Sequence, residues 1–129
     1  MEQAWVLRRR VFIEEQGVPE ALELDEDDAL ATHVLAFEAD NPVGCGRMVA
    51  HGDHVKIGRM AVLSKRRGKG IGRLILEYLM DLARQRHFCK AILHAQLHAE
   101  GFYLKCGYKP LGQVFTEAGI PHRLMERQL

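Results

Sequence analysis

Residues 60–72 have the sequence MAVLSKRRGKGIG, in which an apolar stretch leads directly into a basic, glycine-rich turn. Apolar residues at helical spacing follow as far as residue 86, so the pattern predicts a strand, a tight turn and an amphipathic helix. Alternating glycines let the N–H groups of such a turn point at one place, and a helix N-terminus favours negative charge there. With Arg66, Arg67, Lys69 and Arg73 beside it, the turn is predicted to bind a pyrophosphate.

Two familiar phosphate-binding loops match this turn poorly. A Walker loop places Ser or Thr after Gly-Lys to bind phosphate and magnesium, whereas Gly70 follows Gly68-Lys69 here. The dinucleotide fingerprint has its third glycine where this chain has Arg73, and it normally follows the first strand of the fold. The simplest alternative is a solvated basic turn that caps the helix, which the strand–turn–helix context disfavours.

The composition is that of an ordinary globular domain. The chain has 129 residues, of which 47% are hydrophobic and 27% are charged, so we expect one domain spanning residues 1–129. A net charge of +1 gives no reason to expect nucleic acid or an anionic membrane as a partner. The three cysteines form no C-x-x-C pair, and no signal-like or membrane-spanning stretch is present, so a cytoplasmic protein is expected.

Periodicity and turn signals predict the order of the remaining elements. Apolar spacing predicts a helix over residues 3–16, which Gly17-Val18-Pro19 ends, and an acidic segment over 20–28 follows. Further along the chain we expect strands over 33–38, 43–50 and 55–62, a helix over 70–86, a strand over 90–95, a helix over 99–106, and strands over 108–115 and 123–128. The first three strands would form an antiparallel meander, and the fourth would lie parallel to the third. This order predicts an α/β (α+β) domain with one mixed, mostly antiparallel sheet.

The spacing Arg67-x-x-Gly70-x-Gly72 resembles the coenzyme A motif of the GCN5-related N-acetyltransferases (GNAT), Q/R-x-x-G-x-G/A. The resemblance implies the GNAT fold, with helices on both faces of the sheet, and acetyl-CoA as cosubstrate. It also implies that the first strand of the fold is missing or short, because this chain begins almost inside its first helix. In the family, the third and the parallel strand splay apart beside this motif. The cofactor contacts would then include Met60, Ala61, Val62, Arg67, Gly68, Lys69, Gly70, Ile71, Gly72 and Arg73.

The second half of the family's site matches residues 96–108. Gln96 stands where an asparagine of the family binds the pantetheine arm, and its longer amide offers the same groups. Tyr103 matches the tyrosine that stabilises or protonates the departing thiolate, so we expect it to bind the cofactor and to be catalytic. Phe102, whose simplest role is to pack the short helix, is included among the cofactor contacts.

A narrower resemblance covers nearly the whole chain. Residues 10–19 (RVFIEEQGVP), the acidic residues 23–28 leading to His33, residues 57–60 (IGRM) and residues 119–122 (GIPH) are similar to the ElaA/YjcF-type branch of these acetyltransferases. The resemblance implies that Glu14, His33, Arg59 and His122 lie around the acceptor end of the site.

The acceptor amine must be neutral to attack a thioester, so a base or a water relay is required. The strand over 55–62 contains no carboxylate, and the candidate bases are Glu14, Glu15, His33, His98 and His122. Glu14 and His122 are predicted to be catalytic, and His33, Arg59 and His98 are predicted to contact the acceptor. His94 and His98 have a spacing that binds zinc on a helix, but a third ligand is lacking and we expect no metal.

The predicted function is transfer of an acetyl group from acetyl-CoA to a primary amine of an unidentified small molecule or protein. The alternative is a non-catalytic acyl-CoA-binding sensor or interaction module on the same fold. A different nucleotide-binding enzyme is disfavoured by the phosphate-loop mismatches above. The acyl length is not fixed by the sequence, because one methylene changes binding by only about 1–3 kcal/mol. A homodimer formed through sheet edges is a further expectation.

Overall fold

The computed structural model describes residues 31–63, 67–68 and 70–129. Its elements are β1 (Thr32–Glu38), β2 (Asn41–His51), β3 (His54–Val62), α1 (Ile71–Gln85), β4 (Lys90–Gln96), a 3-10 turn (Leu97–Ala99), α2 (Glu100–Lys105), β5 (Lys109–Glu117) and β6 (Ile120–Gln128). The predicted order of these elements is confirmed. Most predicted bounds differ from the structure by one or two residues; β5 ends at Glu117 rather than at residue 115, and β6 begins at Ile120 rather than at residue 123 and so includes His122. The helix predicted over 3–16, the acidic segment and the start of the fold lie outside the described residues.

The six described strands form one sheet in the order β1-β2-β3-β4-β6-β5. The β3–β4 pair is parallel, as predicted, and the other neighbouring strands are antiparallel. A parallel pair needs a crossover, and α1 supplies it between β3 and β4. None of the described helices is long and apolar enough to cross a bilayer.

The main core lies between α1 and one face of the sheet. The buried side of α1 consists of Ile75, Leu76, Leu79, Met80 and Ala83. It packs with sheet residues such as Ile57, Leu93 and Met125, and the same core contains Cys106 and Tyr108, which follow α2. The Tyr108 hydroxyl donates to Met80 Sδ at 3.0 Å. Both described helices therefore pack against the same face, which we call the helix face.

Two glycines of β2 allow α1 to lie close to the strand. A Cβ atom added at Gly44 would lie 2.8 Å from Ile75 Cδ1. One added at Gly46 would lie 2.6 Å from Met60 Sδ and 2.9 Å from Ile75 Cγ2. Neither site has room for a side chain without movement of the helix or of Met60.

Gly46→Ala is expected to lower the free energy of unfolding by about 1–3 kcal/mol, because the added methyl overpacks the contact with α1. The matched control is Gly101→Ala in α2, where an added Cβ meets nothing within 4 Å. The control should be neutral or stabilising by up to about 1 kcal/mol, since alanine favours helix over glycine. Urea denaturation measures both variants. Equal stability of the two variants would contradict the close contact at Gly46.

Candidate active site

A gap opens between β3 and β4 at their C-terminal ends. The two strands are paired from His54–Lys90 to Ile57–Leu93, although β3 continues to Val62 and β4 to Gln96. On the other side of β3, Arg59 and Met60 together stand opposite the single residue Gly46 of β2, and Arg59 adopts a left-handed φ of 52°. Such a bulge bends the strand, and it lies just beyond the point where the β3–β4 pairing ends. The splayed strands implied by the family resemblance are present.

The glycine-rich turn leads into an uncapped helix N-terminus. Gly68 and Gly70 have φ values of 80° and 81°, and a Cβ at either position would meet no atom within 4 Å. The turn therefore needs these glycines for their backbone conformation and not for space. In the described part of the chain no side chain caps α1 at Gly70, and its first turn contains no acidic residue. The free N–H groups and the helix dipole make this end suited to an anion.

The two halves of the predicted cofactor site meet at this end of α1. A Cβ at Gly72 would lie 3.4 Å from Phe102 Cζ and 3.8 Å from Val62 Cγ2. The Phe102 ring contacts Tyr103 edge to face, with 5.1 Å between ring centroids. Arg67 Nε donates to the Val62 carbonyl at 3.0 Å, so its side chain folds back over the end of β3. The structure thus brings together residues of the turn, the end of β3 and α2.

Tyr103 is held in its protonated form. Burial, with a smaller contribution from the Cys106 thiol, raises the pKa of Tyr103 to about 12. The ring also packs edge to face against Tyr108, at 5.9 Å between centroids. At neutral pH this hydroxyl is a hydrogen-bond donor, and it keeps its proton more tightly than a thiol of ordinary pKa, about 8.5.

His122 lies directly across from Gln96 in the β4–β6 pair. Its side chain is buried, its Nδ1 lies 2.7 Å from the Ile120 carbonyl oxygen, and its Nε2 lies 3.6 Å from Glu117 Oε2. The carbonyl can only accept, so Nδ1 carries a proton. Both ring nitrogens therefore face groups of the protein, and the catalytic role of His122 stays a prediction.

Two residues of this site, His94 and Glu117, were not predicted from the sequence. His94 Nδ1 lies 2.9 Å from Glu117 Oε1, and the ring packs edge to face on Phe115 at 5.1 Å. Burial alone would raise the pKa of Glu117. The hydrogen bond from His94 and the charges of His94, His122 and Lys56 outweigh burial, and they hold this pKa below its ordinary value. Glu117 is thus an anion at neutral pH that connects two histidines.

The alternation of apolar and polar residues in β4 indicates the face to which His94 points. Leu93 and Ala95 are buried on the helix face, so His94 between them points to the opposite face. No local pattern indicated Glu117 as its partner, because β6 lies between β4 and β5. Among the described residues no group of three His, Cys, Asp or Glu side chains is placed to bind a metal.

The other predicted residues occupy separate places. His33 on β1 pairs with Arg47 of β2, and β1 lies four strand positions from β6, which is about 19 Å. His33 and His122 therefore cannot contact the same amine. His98 is exposed on the 3-10 turn, and Arg59 occupies the bulge of β3. Met60 faces Gly46, and Ala61 is buried beside Cys45. Glu14, Glu15, Arg66 and Lys69 lie outside the described residues.

Comparisons with known proteins define the class. Residues 2–129 match the family described as acetyltransferase (GNAT) domain. The protein YyaT of Bacillus subtilis is 39% identical over 132 residues, which cover 100% of this chain and 89% of that protein. The uncharacterized N-acetyltransferase YjcF of the same organism is 36% identical over 126 residues, covering 97% and 90%. The chain therefore belongs to the GNAT acetyltransferase family, as the motif predicted.

Solved structures confirm the fold. The crystal structure of Escherichia coli ElaA has a TM-score of 0.87 and 29% identity, over 98% of this chain and 88% of that one. An aminoglycoside 6'-N-acetyltransferase complexed with coenzyme A has a TM-score of 0.81 and 21% identity, over 98% and 89%. This chain thus has the acyl-CoA N-acyltransferase fold that both of them share.

Proposed function

We propose that this protein is an N-acetyltransferase that transfers an acetyl group from acetyl-CoA to a primary amine of a small molecule or protein by direct attack. The observation that supports this most is the meeting of Val62, Gly72, Phe102 and Tyr103 where β3 and β4 separate. Family membership supports the reaction class. Coenzyme A bound to the aminoglycoside 6'-N-acetyltransferase supports the donor, since the two proteins share a fold.

The residues present fit coenzyme A. The uncapped N–H groups of α1, with the exposed Arg67 and Arg73 beside them, suit a pyrophosphate. Beyond Ile57 the edge of β3 that faces β4 is not paired with that strand, so its backbone groups are suited to the amides of a pantetheine arm. Coenzyme A supplies a thioester carbonyl, and N–H groups placed in this gap would polarise it.

Tyr103 acts on the departing sulfur. Its hydroxyl donates a hydrogen bond that favours the thiolate, which is charge that develops only as the carbon–sulfur bond breaks. Because the pKa of Tyr103, about 12, exceeds that of a thiol, the hydroxyl stabilises the thiolate without giving up its own proton. The proton that finally reaches the sulfur comes from the acceptor amine.

Calorimetric titration with acetyl-CoA tests the proposal, with ATP and NAD as control ligands. We expect binding of acetyl-CoA with a Kd between about 1 μM and 1 mM, and much weaker binding of the controls. A panel of primary amines with detection of free thiol then tests turnover. No binding by the folded protein would contradict the donor assignment. Binding without thiol release from any amine would favour the non-catalytic acyl-CoA-binding module instead.

A further inference from the structure

We propose that His94, oriented by Glu117, is the general base that takes the proton from the acceptor amine. The inference rests on the proposed acetyl transfer and assigns the group that the sequence left open. It depends on three observations, which are the contacts of the His94 ring, its position where the β3–β4 pairing ends, and the placement of the other described histidines among the candidate bases.

The contact with Glu117 determines which nitrogen of His94 is basic. A carboxylate accepts, so the 2.9 Å contact places a proton on His94 Nδ1 and leaves the lone pair on Nε2. Within the described residues Glu117 is the only polar partner of this ring, and the side chain is 27% exposed. Phe115 packs against both histidines and limits their movement. The second oxygen of Glu117 faces His122 Nε2 at 3.6 Å, which makes His122 a positioning residue.

The position of His94 fits the direction of attack. His94 is the first residue of β4 after the last β3–β4 pair, Ile57–Leu93. Its side chain points away from the helix face, whereas Tyr103 packs against the core on the helix face. His94 thus lies on one face of the sheet where the β3–β4 pairing ends, and Tyr103, which stabilises the thiolate, packs on the other face. Direct attack is compatible with this placement, because the amine approaches one face of the planar thioester and the sulfur leaves from another position of the tetrahedral intermediate.

The other histidines considered for the site are less suited to act as the general base. Both nitrogens of His122 face protein groups, the Ile120 carbonyl and Glu117. His33 lies on β1, three strand positions from β4, which is about 14 Å across the sheet. His98 lies on the exposed 3-10 turn beyond the end of β4.

The proton transfers balance with His94 in this role. His94 Nε2 accepts one proton from the ammonium form of the acceptor, which frees the nitrogen lone pair. The carbon–nitrogen bond forms and the carbon–sulfur bond breaks. The attacking nitrogen then loses its second proton, which ends on the coenzyme sulfur, and His94 returns its proton to water. The Glu117 carboxylate stabilises the imidazolium form that exists in between.

The charges around His94 come from three neighbouring strands as well as its own. On this face of β3 to β6, the titratable and charged side chains near the dyad are His54, Lys56, Lys90, Lys109, Glu117, His122 and Glu126. Lys90 and Glu126 face each other at 3.6 Å, so their charges largely compensate. Glu117 is the carboxylate that contacts His94 directly.

Kinetics of three variants test the assignment with the best amine of the panel. His94→Gln should lower kcat/KM at pH 7 about 100-fold, with the acetyl-CoA Kd unchanged within about threefold. The loss of kcat/KM in His94→Gln relative to wild type should be at least about tenfold smaller at pH 9.5 than at pH 7. At the higher pH a much larger fraction of an amine with a pKa near 10.4 is already neutral. Glu117→Gln should lower kcat/KM about tenfold. The matched control, His54→Gln, removes another strand histidine bonded to a carboxylate, Asp53, and should behave as wild type.

Long-range ¹H–¹⁵N NMR of the histidine rings provides a readout that does not depend on turnover. At pH 8 the wild-type His94 ring should be the Nδ1–H tautomer, and Glu117→Gln should populate the Nε2–H tautomer. A wild-type ring in the Nε2–H form, or wild-type turnover by His94→Gln, would overturn the proposal. Loss of turnover in His122→Gln alone would assign the base to His122. Absence of acetyl-CoA binding by the wild-type protein would instead contradict the proposed function.

Discussion

Tyr103→Phe is expected to lower kcat about 100-fold while leaving the Kd for acetyl-CoA within about threefold of wild type. The ring and its packing on Phe102 and Tyr108 remain, and only the hydroxyl that stabilises the departing thiolate is lost. Because burial raises the pKa of Tyr103 to about 12, the hydroxyl stays protonated up to pH 10. The ratio of wild-type to variant kcat should therefore be constant between pH 6 and pH 10.

The control for this variant is Tyr78→Phe, which removes the same hydroxyl from an exposed position of α1. Stopped-flow or steady-state detection of free thiol measures both variants. A kcat for Tyr103→Phe within twofold of the control would remove Tyr103 from the mechanism. A variant whose deficit disappears above pH 8 would show that the hydroxyl transfers its proton, contrary to the hydrogen-bond role.

Gly70→Asp is expected to weaken acetyl-CoA binding by at least about tenfold. The substitution places a carboxylate at the uncapped N-terminus of α1, where the pyrophosphate is proposed to bind. Two unit charges about 4 Å apart repel by roughly 1–4 kcal/mol between the dielectric limits of water and a protein surface, and 1.4 kcal/mol corresponds to a factor of ten. The same carboxylate also satisfies N–H groups of the first helical turn, so they are no longer available to the ligand.

Gly52→Asp separates this effect from backbone strain. Gly52 has a φ of 62° in the turn between β2 and β3, and an added Cβ there meets no atom within 4 Å, as at Gly70. The control introduces the same side chain into the same left-handed region, away from α1. Calorimetry should show weakened binding for Gly70→Asp and unchanged binding for Gly52→Asp. Equal losses in the two variants would mean that strain and net charge, and not the phosphate site, explain the result.

Sequence reasoning succeeded where the determining signal is local. The apolar stripe of α1 and the glycine-rich turn before it lie within about thirty consecutive residues, so spacing alone predicted the strand, turn and helix. The order of the remaining strands and the parallel β3–β4 pair followed from alternation and from the helical crossover. Family membership was predictable for the same reason, since the family's spacing is preserved in one continuous segment.

The structural features that the sequence did not predict depend on contacts between residues that are far apart along the chain. Arg59 adopts a left-handed φ that its side chain does not favour, and nothing in its neighbours indicates a bulge there. Gly44 and Gly46 are ordinary strand residues until the position of α1 is known. The pair His94–Glu117 joins β4 to β5 across the intervening β6, and the irregular β5–β6 register makes this contact impossible to infer from alternation.

The close packing at Gly44 and Gly46 also bears on the length of the donor that the site can hold. At Gly44 and Gly46, β2 contributes no side chain to the contact, so side chains such as Ile75 of α1 and Met60 pack directly against the strand backbone. We therefore expect the helix N-terminus to move little relative to the bulge of β3. Such a site would select its donor by length. If acetyl-CoA binds as proposed, we expect the site to favour a donor whose phosphate and thioester are separated by the distance between the helix N-terminus and the bulge over one with a shorter or longer arm.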